Sequence, residues 1–239
     1  MFEALLSTTE ELAKDRSVRC VVLSGEGRAF CAGLDMGNFG RMASGERDAN
    51  KSEVTGRLEQ RTHGVANRAQ YAALVWRDVP VPVIAAVHGV AFGGGCQIAL
   101  GADIRFAAPD AKMSVMEIKW GLVPDMSLTQ TLRELVPLDV AKELTFTGRI
   151  LSGEEAKALG LVTHVVDDPL AAALALAREI AGKSPDAIRA GKRLLEESWR
   201  ADERTGLMLE SKLQTDLIGT PNQIEAVKAN FENRAPQFS

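Results

Sequence analysis

The stretch HGVAFGGGCQIALGADIRFA, residues 88–107, decides how the rest of the chain is read. Three consecutive glycines, Gly93 to Gly95, stand directly before an apolar run that extends to Ala102. Glycine loses more backbone freedom on folding than any other residue, so three in a row need a reason. The residues just upstream, VIAAVHG from Val83, are apolar and partly β-branched, and Pro80 and Pro82 bracket their entry. They read as a buried strand, which makes the glycines a strand-to-helix turn with bare backbone N–H groups at the helix start. The first polar side chain after the glycines is Gln97, an amide that takes up no proton near neutral pH.

A glycine turn of this kind binds phosphate in nucleotide folds. The spacing here supplies neither a GxxxxGK loop nor GxGxxG with an acidic residue about 20 positions on. A GxSxG elbow is also missing, and Cys96, the only nearby nucleophile, has no basic partner in sequence, so it reads as a small buried apolar residue. The remaining use of free N–H groups at such a turn is an oxyanion hole, which works best with two converging donors. A second donor loop exists. FCAGLD, Phe30 to Asp35, also follows a predicted strand, and Gly33 frees the backbone to point the Leu34 N–H inward, while Asp35 caps the next segment. Both loops sit at carboxyl ends of strands, where open α/β sheets bind their ligands.

Composition narrows the classes. The chain has 239 residues, 46% hydrophobic and 25% charged, with a net charge of −4. That suits one soluble globular domain with a small appendage and is ample for a full core. The acidic balance and scattered basic residues argue against nucleic acid as a partner. No apolar run reaches the roughly 18 residues of a membrane span, and the start, Met1-Phe2-Glu3, is no signal peptide. Cys20, Cys31 and Cys96 form no CxxC pair, which points to a reducing cytoplasm. His63, His88 and His164 lack metal-ligand spacing, so no metal site is expected.

Along the chain, helical spacing of Phe2, Leu5, Leu6, Thr9, Leu12 and Ala13 predicts a helix over residues 2–14 that begins without a capping side chain. Val18 to Leu23 reads as a strand, Phe39 to Asn50 as a mobile loop, and residues 51–77 as helix. Strands come next at Ile104–Ala107, at 113–116 and at Leu161–Val166. SGEE at Ser152–Glu155 and TPNQ at Thr220–Gln223 match capping boxes, and Ser184-Pro185 matches an N-cap with proline at the first helical position. The expected division is an α/β parallel-sheet core over residues 1–180 and a helical region over 181–239.

RAFCAGLDM, HGVAFGGGCQIALGADIRFA and EIKWGLVPD together resemble the crotonase superfamily, the enoyl-CoA hydratase/isomerase family, and the resemblance runs from residue 2 to the terminal NRAPQF. It implies a spiral of ββα repeats with a C-terminal helical trimerisation region. It also implies an acyl-CoA thioester as ligand, with coenzyme A part of the substrate and no separate cofactor. Carried over by position, the N–H groups of Leu34 and Gly94 would hold the thioester oxygen, and Ala32, Gly33, Leu34 and Gly93 would contact CoA. On that reading a Cβ at Gly94 would crowd the thioester oxygen. Members of the family carry strands ahead of the position of Met1, so a shortened start is expected, with an exposed strand edge or a compensating contact from elsewhere and weakened CoA affinity. The apolar residues of 185–232 are expected to assemble a homotrimer or dimer of trimers.

The resemblance places one hydratase glutamate at Gln97 and the other at Glu117. A single carboxylate suffices to move a double bond, whereas hydration normally uses two, so Gln97 tilts the expectation toward isomerisation by Glu117. The apolar sequence neighbours Met116, Ile118 and Trp120 would raise the Glu117 pKa if they also surround it in space. The plainer reading is a surface pair with Lys119 or Lys112. Asp125 is a candidate second acid, with the N-cap of a helix from Met126 to Leu135 as the favoured alternative. Met36, Met116, Trp120 and Met126 are candidate acyl-pocket residues, along with His63 and Asn67, one turn apart on the 51–77 helix; packing and polar-face roles are the plainer alternatives. Two rival functions remain: a 2-enoyl-CoA hydratase in which Gln97 or Asp125 assists water, and a non-catalytic acyl-CoA binder.

Overall fold

A computed structural model describes residues 1–33 and 58–239. The expectations for Asp35, for the loop 39–50 and for a helix from residue 51 lie wholly or partly outside those residues. The structure opens with α1 (Phe2–Lys14), which has no side-chain cap, as its sequence predicts. It continues through β1 (Val21–Ser24), α2 (Arg68–Asp78), β2 (Val83–Val87), β3 (Val90–Phe92), α3 (Gly94–Leu100), β4 (Ile104–Ala107) and β5 (Lys112–Ser114).

Two parallel sheets result among the described residues. One has the order β1-β2-β4-β6, with β6 at His164–Val165, and the other pairs β3 with β5. In-register pairs such as Val22↔Ile84, Ile84↔Ile104 and Phe106↔His164 run across the first sheet. The chain passes from the first sheet into the second and then into a helix, as in β2–β3–α3, and the same two-strand step recurs in β4–β5. This is the ββα spiral that the resemblance implies.

Strand β2 is buried along its whole length because both faces are covered. Its period of two splits the core: Val83, Ala85 and Val87 join the main cluster, while Ile84 and Ala86 meet Phe106 and Ala173 in a second one. Ala173 belongs to α7 (Pro169–Ala181), which therefore roofs the outer face of the sheet. Strand β1 is the edge of the sheet among the described residues, and α1 and α7 flank it across a groove of about 850 Å³.

The chain continues through helices α4 (Leu128–Thr131), α5 (Leu138–Thr147), α6 (Gly153–Leu159), α8 (Pro185–Ser198), α9 (Glu203–Leu217) and α10 (Pro221–Phe231). Helix α8 is tied to the core by two long cations. Arg189 donates to the carbonyls of Arg16 and Val18, and the Lys192 Nζ donates to Trp76 O, Val81 O and Asp103 Oδ2.

Several boundaries differ from the sequence reading, each for a local reason. Residues 60–67 are not helical: Gly64 takes a positive φ of 59°, His63 bridges to Ala66, and Asn67 starts α2 through a capping box with Gln70. The Ser152–Glu155 box and the Ser184 cap form as predicted. The Thr220–Gln223 box does not, because the Thr220 hydroxyl donates to Leu217 O and the Gln223 oxygen accepts from the Gly219 N–H instead. The strand expected over Leu161–Val166 pairs only at His164 and Val165, since the backbone N–H groups of Leu161 and Val162 turn back to Ala156 O.

Candidate active site

The two glycine-bearing loops meet directly. Cys31 donates its N–H to Val90 O at 3.0 Å and accepts from the Phe92 N–H at 3.0 Å, which lays the FCAG segment along β3. Gly33, with φ 89°, lies so close that a Cβ there would stand 2.8 Å from Phe92 O. Ala32 is exposed beside it. Leu34 and Met36 fall outside the described residues.

Each glycine of the triplet answers to its surroundings. Gly93 adopts φ 52°, a conformation that side chains disfavour, and its N–H donates to Ser114 O at 2.9 Å. A Cβ on Gly95 would collide with the Cys31 carbonyl, so the third glycine is what lets the FCAG loop dock. The expectation for Gly94 changes: the atom that a Cβ would crowd is the Met126 Sδ, at 2.7 Å, rather than only an incoming thioester oxygen. As the first residue of α3, Gly94 has no intrahelical acceptor for its N–H. Among the described residues that N–H makes no hydrogen bond.

Glu117 begins a 3₁₀ turn, Glu117–Trp120, and points back at the triplet; a Cβ on Gly93 would lie 3.2 Å from its Oε1. The same oxygen accepts from the Gln97 Nε2 at 2.6 Å. Gln97 is fully buried, and its Oε1 accepts from the Met126 N–H at 2.9 Å. Glu117 Oε2 is buried, with no hydrogen-bond partner among the described residues. Burial pushes the Glu117 carboxyl above the ordinary glutamate range; the hydrogen bonds from its own backbone and from Gln97 oppose this, and the charge of Asp125 adds to it.

The surface-pair reading of Glu117 fails, since no ion pair to it exists among the described residues and Lys119 instead places its ammonium 5.2 Å from the Trp120 ring centre. Ile118 and Trp120 are exposed, while Glu117 lies against the Gly93 turn and Gln97 of α3. Met116 is half-buried, and Met126 is buried over Gly94. His63 stacks on Tyr71 with ring centres 4.4 Å apart, and Asn67 is buried as the α2 cap, donating also to Leu58 O. Asp125 does not cap a helix. Ser127 holds the N-cap position of α4, with a positive φ of 64°, and Asp125 is exposed two residues earlier, its carboxyl raised by partial burial. The Gln97–Met126 bond is what sequence reasoning missed, because the partners lie 29 residues apart and one is a backbone group.

A family model described as Enoyl-CoA hydratase/isomerase matches residues 1–239. The chain belongs to that family. It is 34% identical over 245 residues to the mitochondrial methylglutaconyl-CoA hydratase of Mus musculus, covering 100% of this chain and 73% of the relative. It is 38% identical over 241 residues to the mitochondrial enoyl-CoA hydratase domain-containing protein 2 of Homo sapiens, covering 98% and 77%. The crystal structure of enoyl-CoA hydratase from Bacillus anthracis superposes with a TM-score of 0.87 at 31% identity, covering 99% of this chain and 87% of that one. The crotonase fold and an enzyme of the enoyl-CoA hydratase/isomerase family follow, and an acyl-CoA substrate is consistent with both. No helix among the described residues is long and apolar enough to cross a membrane.

Proposed function

We propose that this member of the family shifts a carbon–carbon double bond in an enoyl-CoA thioester, with Glu117 as its single acid–base group. The observation that carries the reading is the state of Gln97: both ends of its amide are engaged, one by Met126 and one by Glu117. A buried amide so engaged neither accepts a proton from water nor holds one, which removes the first of the two groups that hydration uses.

In this reading Glu117 takes a proton from the α carbon of a 3-enoyl thioester. The electron pair left behind moves into the thioester carbonyl as an enolate. The N–H groups of Gly94 and Leu34 hold the enolate oxygen, an interaction worth on the order of 3 kcal/mol of barrier per donor. The same carboxyl returns its proton to the γ carbon and leaves the conjugated 2-enoyl thioester. Ala32, Gly33, Leu34 and Gly93 contact the CoA portion, and Met116, Trp120 and Met126 border the acyl chain. The apolar residues left exposed on the C-terminal helices, Leu195, Trp199, Leu207 and Phe231 among them, support assembly as a trimer or dimer of trimers. Three unpaired thiols favour a reducing compartment such as the cytoplasm.

Hydration of a 2-enoyl-CoA is the second reading. In its favour are the names of the relatives and the position of Asp125, near enough for its charge to raise Glu117. Ultraviolet absorbance of the conjugated thioester separates the possibilities. Isomerisation makes absorbance rise from a 3-enoyl-CoA, and hydration makes it fall from a 2-enoyl-CoA. The expected result is a rise with little or no fall; a fall faster than the rise assigns hydration, and two flat traces with bound ligand assign a binder.

A further inference from the structure

Gln97 contributes no proton, yet it is placed to decide which oxygen of Glu117 does. A backbone N–H only donates, so the amide end facing Met126 is the oxygen, and the NH₂ group necessarily faces Glu117. The reversed amide would set N–H against N–H at Met126, where the pair is buried, and oxygen against carboxylate at Glu117, where it is half-buried. The Met126 backbone thus locks the orientation of Gln97, and Gln97 in turn permanently presents a donor to Glu117 Oε1. A proton on that oxygen would point at the donor. The other oxygen, Oε2, is buried and has no hydrogen-bond partner among the described residues.

We propose that Gln97 is a positioning residue that makes Glu117 a one-oxygen acid–base: Oε1 is the anchor, and Oε2 alone takes up and returns the proton. The inference rests on the reading of Glu117 as the proton carrier. It explains why an amide suits position 97. A carboxylate there would still accept from the Met126 N–H, but it would face Glu117 at 2.6 Å, where two carboxylates cannot both stay ionised. The arrangement also ties the proton carrier to Met126, whose sulfur packs over Gly94, so one side chain sets the base relative to the helix start. The Glu117 backbone N–H also favours the ionised carboxyl, but it is fixed by the 3₁₀ turn and stays in place whatever residue stands at 97. The other groups around Glu117 do not take over the role of Gln97. Asp125 raises its proton affinity, and the buried Cys96 thiol on α3, pushed up to about 12, stays neutral. Lys119 is directed at the Trp120 ring.

The test is the titration of Glu117 itself, followed by carboxyl ¹³C NMR on the full-length protein with labelled glutamate, the signal being identified by its loss in Glu117→Gln. Gln97→Met keeps the bulk and removes the donor; Gln97→Glu keeps the acceptor for Met126 and substitutes a shared proton for the donor. Both should tighten proton binding at Glu117, roughly tenfold to a hundredfold for Gln97→Met and more for Gln97→Glu. The acid limb of kcat/KM for a 3-enoyl-CoA should move to higher pH by the same factor, with KM nearly constant. An unchanged Glu117 titration in either folded variant overturns the proposal, and the second variant stands if the first does not fold. Should the wild type turn over no 3-enoyl-CoA, the functional reading fails, while the NMR titration still decides whether Gln97 clamps Oε1.

Discussion

Glu117→Gln is expected to lower turnover of an enoyl-CoA substrate by about 10²–10⁴-fold, the usual worth of a general acid–base group. Binding of a CoA ester should stay within a few-fold of the wild type. The substitution is nearly isosteric, and its amide oxygen can still accept from Gln97, so the turn at Glu117–Trp120 has no reason to move. The variant loses the capacity of the buried, unpartnered oxygen to take up a proton. Steady-state kcat with calorimetric affinity for a non-reacting CoA thioester separates the two effects. Retention of kcat within tenfold would take Glu117 out of the chemistry and leave Asp125 as the carboxylate to examine.

The largest expected effect on stability lies far from the site, at Lys192. Its side chain is almost wholly buried, with 7% exposure, and its ammonium makes three bonds: to Trp76 O at 2.7 Å, Val81 O at 3.1 Å and Asp103 Oδ2 at 2.8 Å. Lys192→Met would strand a carboxylate and two carbonyls where the helix α8 meets the sheet. Breaking a buried pair from one side typically costs about 3–5 kcal/mol. The lower end applies here, because Asp103 keeps the Val83 N–H at 2.7 Å and some contact with solvent. Urea unfolding should show a loss of about 3 kcal/mol. The double variant with Asp103→Asn should lose less than the sum of the single losses, since the two changes remove one shared interaction. A loss under about 1 kcal/mol for Lys192→Met would mean that α8 docks mainly through its apolar face.

Legibility in the sequence tracks the range of the interactions. The buried strand before the triplet, the glycine turn and the capping box at Ser152 are carried by neighbours within a few residues, and they fold as read. The unbroken apolar run VIAAV also foretells a strand covered on both faces. The failures are of two kinds. Asp125 is a cap-type residue in a cap-like context, but the chain geometry gives the N-cap to Ser127. Thr220 does hold the N-cap position of α10, yet its hydroxyl donates to Leu217 O and closes no capping box. The helix expected through His63 and Asn67 gives way to a turn because Gly64 accepts a positive φ and Asn67 is a strong cap. At the site, the residue types at 97 and 117 pointed to one carboxylate and one amide. Their contact across 20 positions, and the backbone N–H that orients the amide, come from the spiral, which brings the 3₁₀ turn under α3.

If Glu117 moves a proton at the carbon next to the thioester, solvent exchange reads that step without requiring any particular product. A CoA thioester with α hydrogens is incubated with the enzyme in D₂O, and ¹H NMR follows loss of the α-proton signal in wild type and in Glu117→Gln. Enzyme-dependent exchange in the wild type, with none above the uncatalysed rate in the variant, is the predicted result. Equal exchange in both proteins, or none in a wild type that binds the ester, would contradict it.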